Sequence, residues 1–113
     1  MLSQVQREKF YDEGFLKIPG LFSLVEVQQM RAAFSRLREL AYRLKRTQSY
    51  RDALFVLEPI EDDLQSAAIA IHRIVWCGGA EPVLKQLGQK DTLRTLAGAL
   101  LGCDEVVHLI NQA

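Results

Sequence analysis

An α+β fold, helices and short strands mixed along one chain, is predicted by three features of the 113-residue sequence. Ser3 stands three positions before Gln6, and Ser23 three before Glu26, which is the spacing of a helix capping box. Apolar residues recur every three or four positions from Val27 to Leu44, the period of a helix with one buried face. Short apolar runs at 53–58 and 106–112 have the length of strands and lack that period.

The first helix is expected over residues 4–13, where the Ser3 hydroxyl and the Gln6 side chain satisfy each other's orphan backbone N–H groups. Gly14 supplies the left-handed residue that stops it, and Phe15 falls where a Schellman cap places an apolar residue against Phe10. Residues 15–18, Phe-Leu-Lys-Ile, then read as a short strand closed by the turn dipeptide Pro19-Gly20.

The second helix is expected over 24–45, with Phe22 and Val27 at the staple positions around its capping box. Its stripe is Val27, Met30, Phe34, Leu37, Ala41 and Leu44. A stripe of this kind packs a core far more often than it lines a cofactor. Arg31, Arg36, Arg38, Arg43, Lys45 and Arg46 lie off the stripe and could attract an anion such as phosphate. A solvated face is the plainer reading, because late cations complement the helix dipole and Glu39 precedes Arg43 by four residues.

Residues 53–58 read as a strand ended by Pro59, followed by a loop crowded with Glu58, Glu61, Asp62 and Asp63. The alternating ligands and sharp-turn Gly of a calcium loop are absent, so a solvated loop is expected. The run from Ala67 to Trp76 suits a buried strand or a short helix, and a strand over 67–72 is preferred. Gly78-Gly79 breaks it. Glu81-Pro82 opens a helix over 81–87 that stops at Gly88, Asp91 caps another over 92–101, and Gly102 ends that one. A strand over 106–112 follows. No repeat or linker divides the chain, so residues 1–113 are expected to form a single, partial domain.

Composition narrows the function. The chain is 49% hydrophobic and 25% charged with zero formal net charge, so it has no whole-chain field to attract nucleic acid or anionic membrane. No apolar stretch reaches the roughly 20 residues of a membrane span, and the N-terminus lacks a signal-peptide core, so a cytoplasmic location is expected. Cys77 and Cys103 fit neither a disulfide framework nor a zinc site and are expected to be reduced, buried thiols.

His72 and His108 both lie in apolar runs, and neither has a second ligand at converging spacing. A packed histidine with one hydrogen-bond partner is the ordinary outcome. There is no Gly-x-Ser-x-Gly elbow, no Gly-rich phosphate loop and no aromatic-basic nucleic-acid platform. The run to Ala113 ends without turn or cap, and its partner strands are expected from a longer protein or from another chain.

The order of the opening is more specific. Leu2-Ser3, Phe10, Gly14-Phe15-Leu16-Lys17-Ile18-Pro19-Gly20-Leu21-Phe22-Ser23 and then the long helix resembles the start of the phytanoyl-CoA dioxygenase family. Residues 100–112, Leu-Leu-Gly-Cys-Asp-Glu-Val-Val-His-Leu-Ile-Asn-Gln, look like the helix, Gly stop and strand that enter that family's jelly-roll core. The resemblance spans nearly the whole chain and is weaker at the far end, because a Leu-Leu-Gly helix stop is common.

The resemblance implies the helix-rich N-terminal portion of a double-stranded β-helix in an Fe(II)- and 2-oxoglutarate-dependent dioxygenase acting on a small organic or acyl-CoA-type substrate. It implies iron held by a His-x-Asp pair and a distant His, and an Arg that grips 2-oxoglutarate. None of these is assigned here: His108 is followed two positions later by Ile110, not Asp, and the chain alone is expected to bind no iron. In resembling proteins the early strand can offer an amide to the cosubstrate. Val107, Leu109, Asn111 and Ala113 would share one face of it, which makes Asn111 the one candidate contact, against an ordinary role as a strand-end hydrogen bonder. A different class of reading is a stand-alone helical module whose Val27 to Leu44 stripe docks a partner or dimerises. Oligomeric state is left open.

Overall fold

A computed structural model describes residues 1–60 and 68–113. The fold is α+β: α1 (Gln4–Glu13), α2 (Leu24–Leu44), β1 (Gln48–Tyr50), β2 (Ala53–Ile60), β3 (Ala68–Val75), α3 (Cys77–Ala80), α4 (Pro82–Gly88) and α5 (Asp91–Leu101). The strands form one antiparallel sheet in the order β1-β2-β3.

Both capping boxes form. Ser3 Oγ accepts from Gln6 N–H while Gln6 Oε1 accepts from Ser3 N–H, and Ser23 and Glu26 repeat the exchange at α2. Gly14 caps α1 at φ 80° and donates to Phe10 O, as expected. Phe15 does not fold back as a Schellman partner would: it is 61% exposed, and Phe10 meets the edge of Tyr11 instead. Residues 15–18 are not a strand. Among the described residues no strand lies alongside them, and an extended segment without a ladder partner is only a connection.

The core is α2 laid on the sheet. Ala33, Leu37 and Ala41 of α2 meet Ala53, Phe55, Leu57 and Ile74, and Leu37 and Phe55 are almost fully enclosed. The expected stripe holds at Met30, Leu37, Ala41 and Leu44, all buried or packed against this core, and the contact face departs from it at one position. Ala33 lies at its centre with 0% exposure, whereas Phe34 is 42% exposed. Alanines at 33 and 41 let the helix approach the sheet closely, so the small residues, which a hydrophobicity pattern underweights, set its phase.

Alternation along β2 gives the sheet its two faces, with Ala53, Phe55 and Leu57 buried and Leu54 and Glu58 exposed. β2 continues through Pro59 to Ile60, and β3 continues beyond His72 to Val75, so both strands outrun their expected ends. Pro59 sits opposite Ile69, at a pair where the ladder needs no N–H from it. Opposite Val56 and Leu57 the register slips by one residue, a bulge that takes in His72. His72 is exposed and lies 2.6 Å from Glu58. The acidic loop at Glu61, Asp62 and Asp63 lies outside the described residues. β1 was not foreseen; its Gln48-Ser49-Tyr50 is held by a hairpin to β2 and by Thr47 Oγ1, which donates to Leu57 O and accepts from Leu57 N–H.

β3 has ended before Gly78-Gly79, as expected, and the two glycines lie in the single turn of α3. α4 includes Gly88, and Gln89 caps it. At α5, Asp91 is the first helical residue, with Lys90 at the cap position and no side-chain cap bond, while Gly102 ends the helix in the left-handed conformation as expected. Lys90 is occupied elsewhere: its Nζ donates to Glu26 Oε1 and lies over the Phe22 ring, tying α5 to the start of α2. Arg36 donates twice to Glu81, at 2.7 and 2.8 Å, so α2 is joined to α4 by this pair. Among the described ion pairs Glu39–Arg43 does not occur.

Two outcomes test this packing. Leu37→Ala should cost about 2–5 kcal/mol in denaturant unfolding and Phe34→Ala no more than about 0.5 kcal/mol; equal losses would place the helix in the other phase. The Lys90 bond, then the Ser23 N–H, holds the Glu26 carboxyl below its usual range. A carboxylate depressed in the folded state stabilises fully above its unfolded pKa, and that contribution is lost as pH falls through the folded value. Glu26→Gln should therefore flatten the acid limb of stability against pH and leave the alkaline limb unchanged.

Candidate functional site

Asn111 is the one residue singled out from the sequence as a ligand contact, and its placement begins with a problem at α3. A helix start exposes N–H groups that need acceptors. α3 has no local cap: Trp76 at the cap position is left-handed, at φ 56°, and offers no side-chain oxygen. Asn111 meets the need from 33 residues away. Its carbonyl accepts from Cys77 N–H at 3.1 Å and its side-chain Oδ1 from Gly78 N–H at 3.0 Å.

One position further on, the chain joins the sheet. Ala113 and Ile74 exchange both backbone hydrogen bonds, at 2.7 and 3.1 Å, and Gln112 bridges Val75 in antiparallel sense. Among the described residues only this end of the expected 106–112 strand pairs, and residues 103–110 carry no ladder. The predicted common face also breaks. Val107 and Leu109 are 90% and 81% exposed, whereas Asn111 is half-buried beside His108 and Val106. Alternation holds to Leu109 and then changes phase, because Asn111 must turn inward to reach α3.

Two glycines, a histidine and a tryptophan complete the surroundings. A Cβ on Gly78 would lie 2.7 Å from Asn111 Nδ2 and 2.8 Å from Lys85 N, so only glycine admits the amide here. A Cβ on Gly88 would stand 3.3 Å from His108 Cε1 and 3.7 Å from Asn111 Nδ2. The His108 ring stands edge-on to Trp76 with centroids 5.8 Å apart. Holding a Trp in the left-handed region costs about 1–2 kcal/mol, so this turn is fixed by its surroundings.

Two polar atoms in this cluster are buried without a partner among the described residues, His108 Nδ1 and Asn111 Nδ2. Because Oδ1 is committed to an N–H donor, the amide orientation is fixed and Nδ2 is left as a donor without an acceptor. The expectation that His108 has a hydrogen-bond partner is thus not met at Nδ1. Beside it, between α5 and residues 106–109, opens a cleft of about 700 Å³ lined by Lys90, Leu93, Arg94, Ala97, Leu101 and His108 among others.

The remaining candidates are dispersed. His72 lies in the β3 bulge, whereas His108 packs between Gly88 and Trp76. Among the described residues no group of three His, Cys, Asp or Glu side chains converges as a metal site. Burial pushes the Cys77 thiol up, as for an inert packed cysteine, whereas Cys103 is exposed, contrary to expectation. Among the described residues no helix is long and apolar enough to cross a membrane. Gly78, Gly88 and Trp76 escaped the sequence reading. Glycine there looked like chain punctuation, and nothing local marks a Trp with positive φ.

Comparison with known protein families, with curated proteins and with solved structures finds no match to this chain.

The Asn111 bridge predicts a coupled pair of losses. Asn111→Ala should cost about 1–2 kcal/mol by leaving Gly78 N–H without an acceptor, and Gly78→Ala about 1–3 kcal/mol by overpacking. Because both act on one contact, the double variant should lose less than the sum in urea unfolding. Strict additivity would show that the two residues do not touch.

Proposed function

We propose that this chain is the N-terminal scaffold of an Fe(II)- and 2-oxoglutarate-dependent dioxygenase of jelly-roll fold, similar to the phytanoyl-CoA dioxygenase family. The observation that carries the reading is the antiparallel entry of residues 111–113 onto the edge of β3. A capped helix, a second, long capped helix and a late segment joining a sheet edge follow in the order of the resemblance, whereas the Gly-Phe-Leu segment between the helices, a strand in the resemblance, is here an unpaired connection. Val107 and Leu109, almost fully exposed, are what an incomplete barrel wall would present.

Within that reading the residues fit the two cofactors unequally. No described set of side chains suits iron, so its ligands would lie in the rest of the parent protein. Asn111 suits a cosubstrate in one respect. Its Nδ2 is a fixed donor without an acceptor, and a carboxylate or carbonyl oxygen of 2-oxoglutarate is the acceptor proposed for it. The amide is packed against Gly78, so reaching it requires the 106–111 segment to shift slightly on binding. The part played by these 113 residues is to hold that strand in place, with α2 behind the sheet and α3 and α4 beneath the amide.

The alternative, a helical interaction module, has less to draw on. Leu37 and Ala41 of its supposed docking stripe lie in the chain's own core.

The test is turnover by the parent polypeptide. With ferrous iron and O2 it should convert 2-oxoglutarate to succinate and CO2, and Asn111→Ala should raise KM for 2-oxoglutarate about threefold to tenfold, the loss of one hydrogen bond. A parent that consumes no 2-oxoglutarate would refute the reading. An active parent indifferent to Asn111→Ala would refute only the role of the amide.

A further inference from the structure

The free edge of β3 has a definite hydrogen-bonding pattern. Along residues 68–71 the register with β2 is unbroken, and Ile69 stands opposite Pro59. Proline has no N–H, and this is a pair whose backbone groups point away from each other. Ile69 N–H and C=O therefore face the outer edge, and so do those of Ile71, two residues along in the same register. The one-residue bulge at 72 and 73 shifts the phase, so that Ile74 is the next outward residue, and Ile74 is bonded to Ala113. Among the described residues the outward groups of Ile69 and Ile71 have no strand beside them. Their side chains pack partly against the core, so this stretch of β3 is held in place and ready to pair.

We infer that the 68–73 edge of β3 receives an antiparallel strand, continuous with the Ala113–Ile74 pair and supplied by the remainder of the same polypeptide. This rests on the reading of the chain as part of a larger dioxygenase. Direction favours that occupant. At Ala113 the backbone already runs antiparallel to β3 and heads toward Arg73, so a continuing chain would meet Arg73 and then Ile71 with no loop to close. A strand from a second copy would have to stop short of Ile74, because Ala113 already pairs there. It would also have to offset lost translational freedom with only a few ladder bonds. The side chains facing Ile71 and Ile69 on the incoming strand would extend the apolar face begun by Phe55, Leu57 and Ile74.

Backbone amide exchange in the 113-residue chain and in its parent polypeptide tests this. In the short chain the Ile69 and Ile71 amides should exchange close to the unprotected rate while Ile74 is slow, and in the parent both should slow at least about 100-fold, as ladder amides do. Fast exchange in a parent that turns over 2-oxoglutarate would overturn the edge inference and leave the dioxygenase reading intact. A coding sequence with no continuation would remove that reading and this occupant together. Slow exchange in the short chain with a dimeric mass would assign the edge to a second copy and overturn the proposal.

Discussion

A single asparagine bridges two parts of the chain that no local element joins. Cys77 and Gly78 open a one-turn helix that cannot cap itself, and Asn111 answers both N–H groups, one with its backbone and one with its side chain. An uncapped buried helix start would leave donors without acceptors, each costing about 1–3 kcal/mol. Meeting that need fixes where residues 111–113 lie, and so fixes their pairing with Ile74 and Val75.

That arrangement is transmitted from the core. Ala33, Leu37 and Ala41 seat α2 on Phe55 and Leu57, the bonds from β2 hold β3 in register, and β3 delivers Trp76 to the turn in a conformation it would not adopt alone. Arg36 reaches from α2 to Glu81 at the start of α4, which places Lys85 and Gly88 beside the amide. The two unpartnered polar atoms, His108 Nδ1 and Asn111 Nδ2, lie where this chain of constraints ends. Structural polar groups are normally paired, so an oriented donor without an acceptor is the feature of the cluster that calls for a ligand or a small rearrangement.

Local chemistry was legible in the sequence and distant partnership was not. Ser3, Ser23, Gly14 and Gly102 act within one turn of themselves, and the helix ends they mark appear where expected. Residues 15–18 and 106–112 have strand composition, but a strand is a relation between two segments, and only Gln112 finds a bridge. β1 has unremarkable composition and exists because β2 lies beside it. Asn111 was found through its type and its place in an apolar run; its role as a remote cap for α3 depended on Gly78 and Gly88, whose spacing says nothing of closeness in space. Phe34 and Ala33 show the same limit in the core, since size matching across an interface overrides hydrophobic rank.

The most direct measurement is hydrogen exchange at the Cys77, Gly78 and Ile74 amides, compared with the free energy of global unfolding. If Asn111 and Ala113 hold these donors, all three should open with free energies near that of the core amides. Exchange of all three at the rate of a frayed terminus would show that residues 111–113 are not fixed there and that Asn111 does not cap α3.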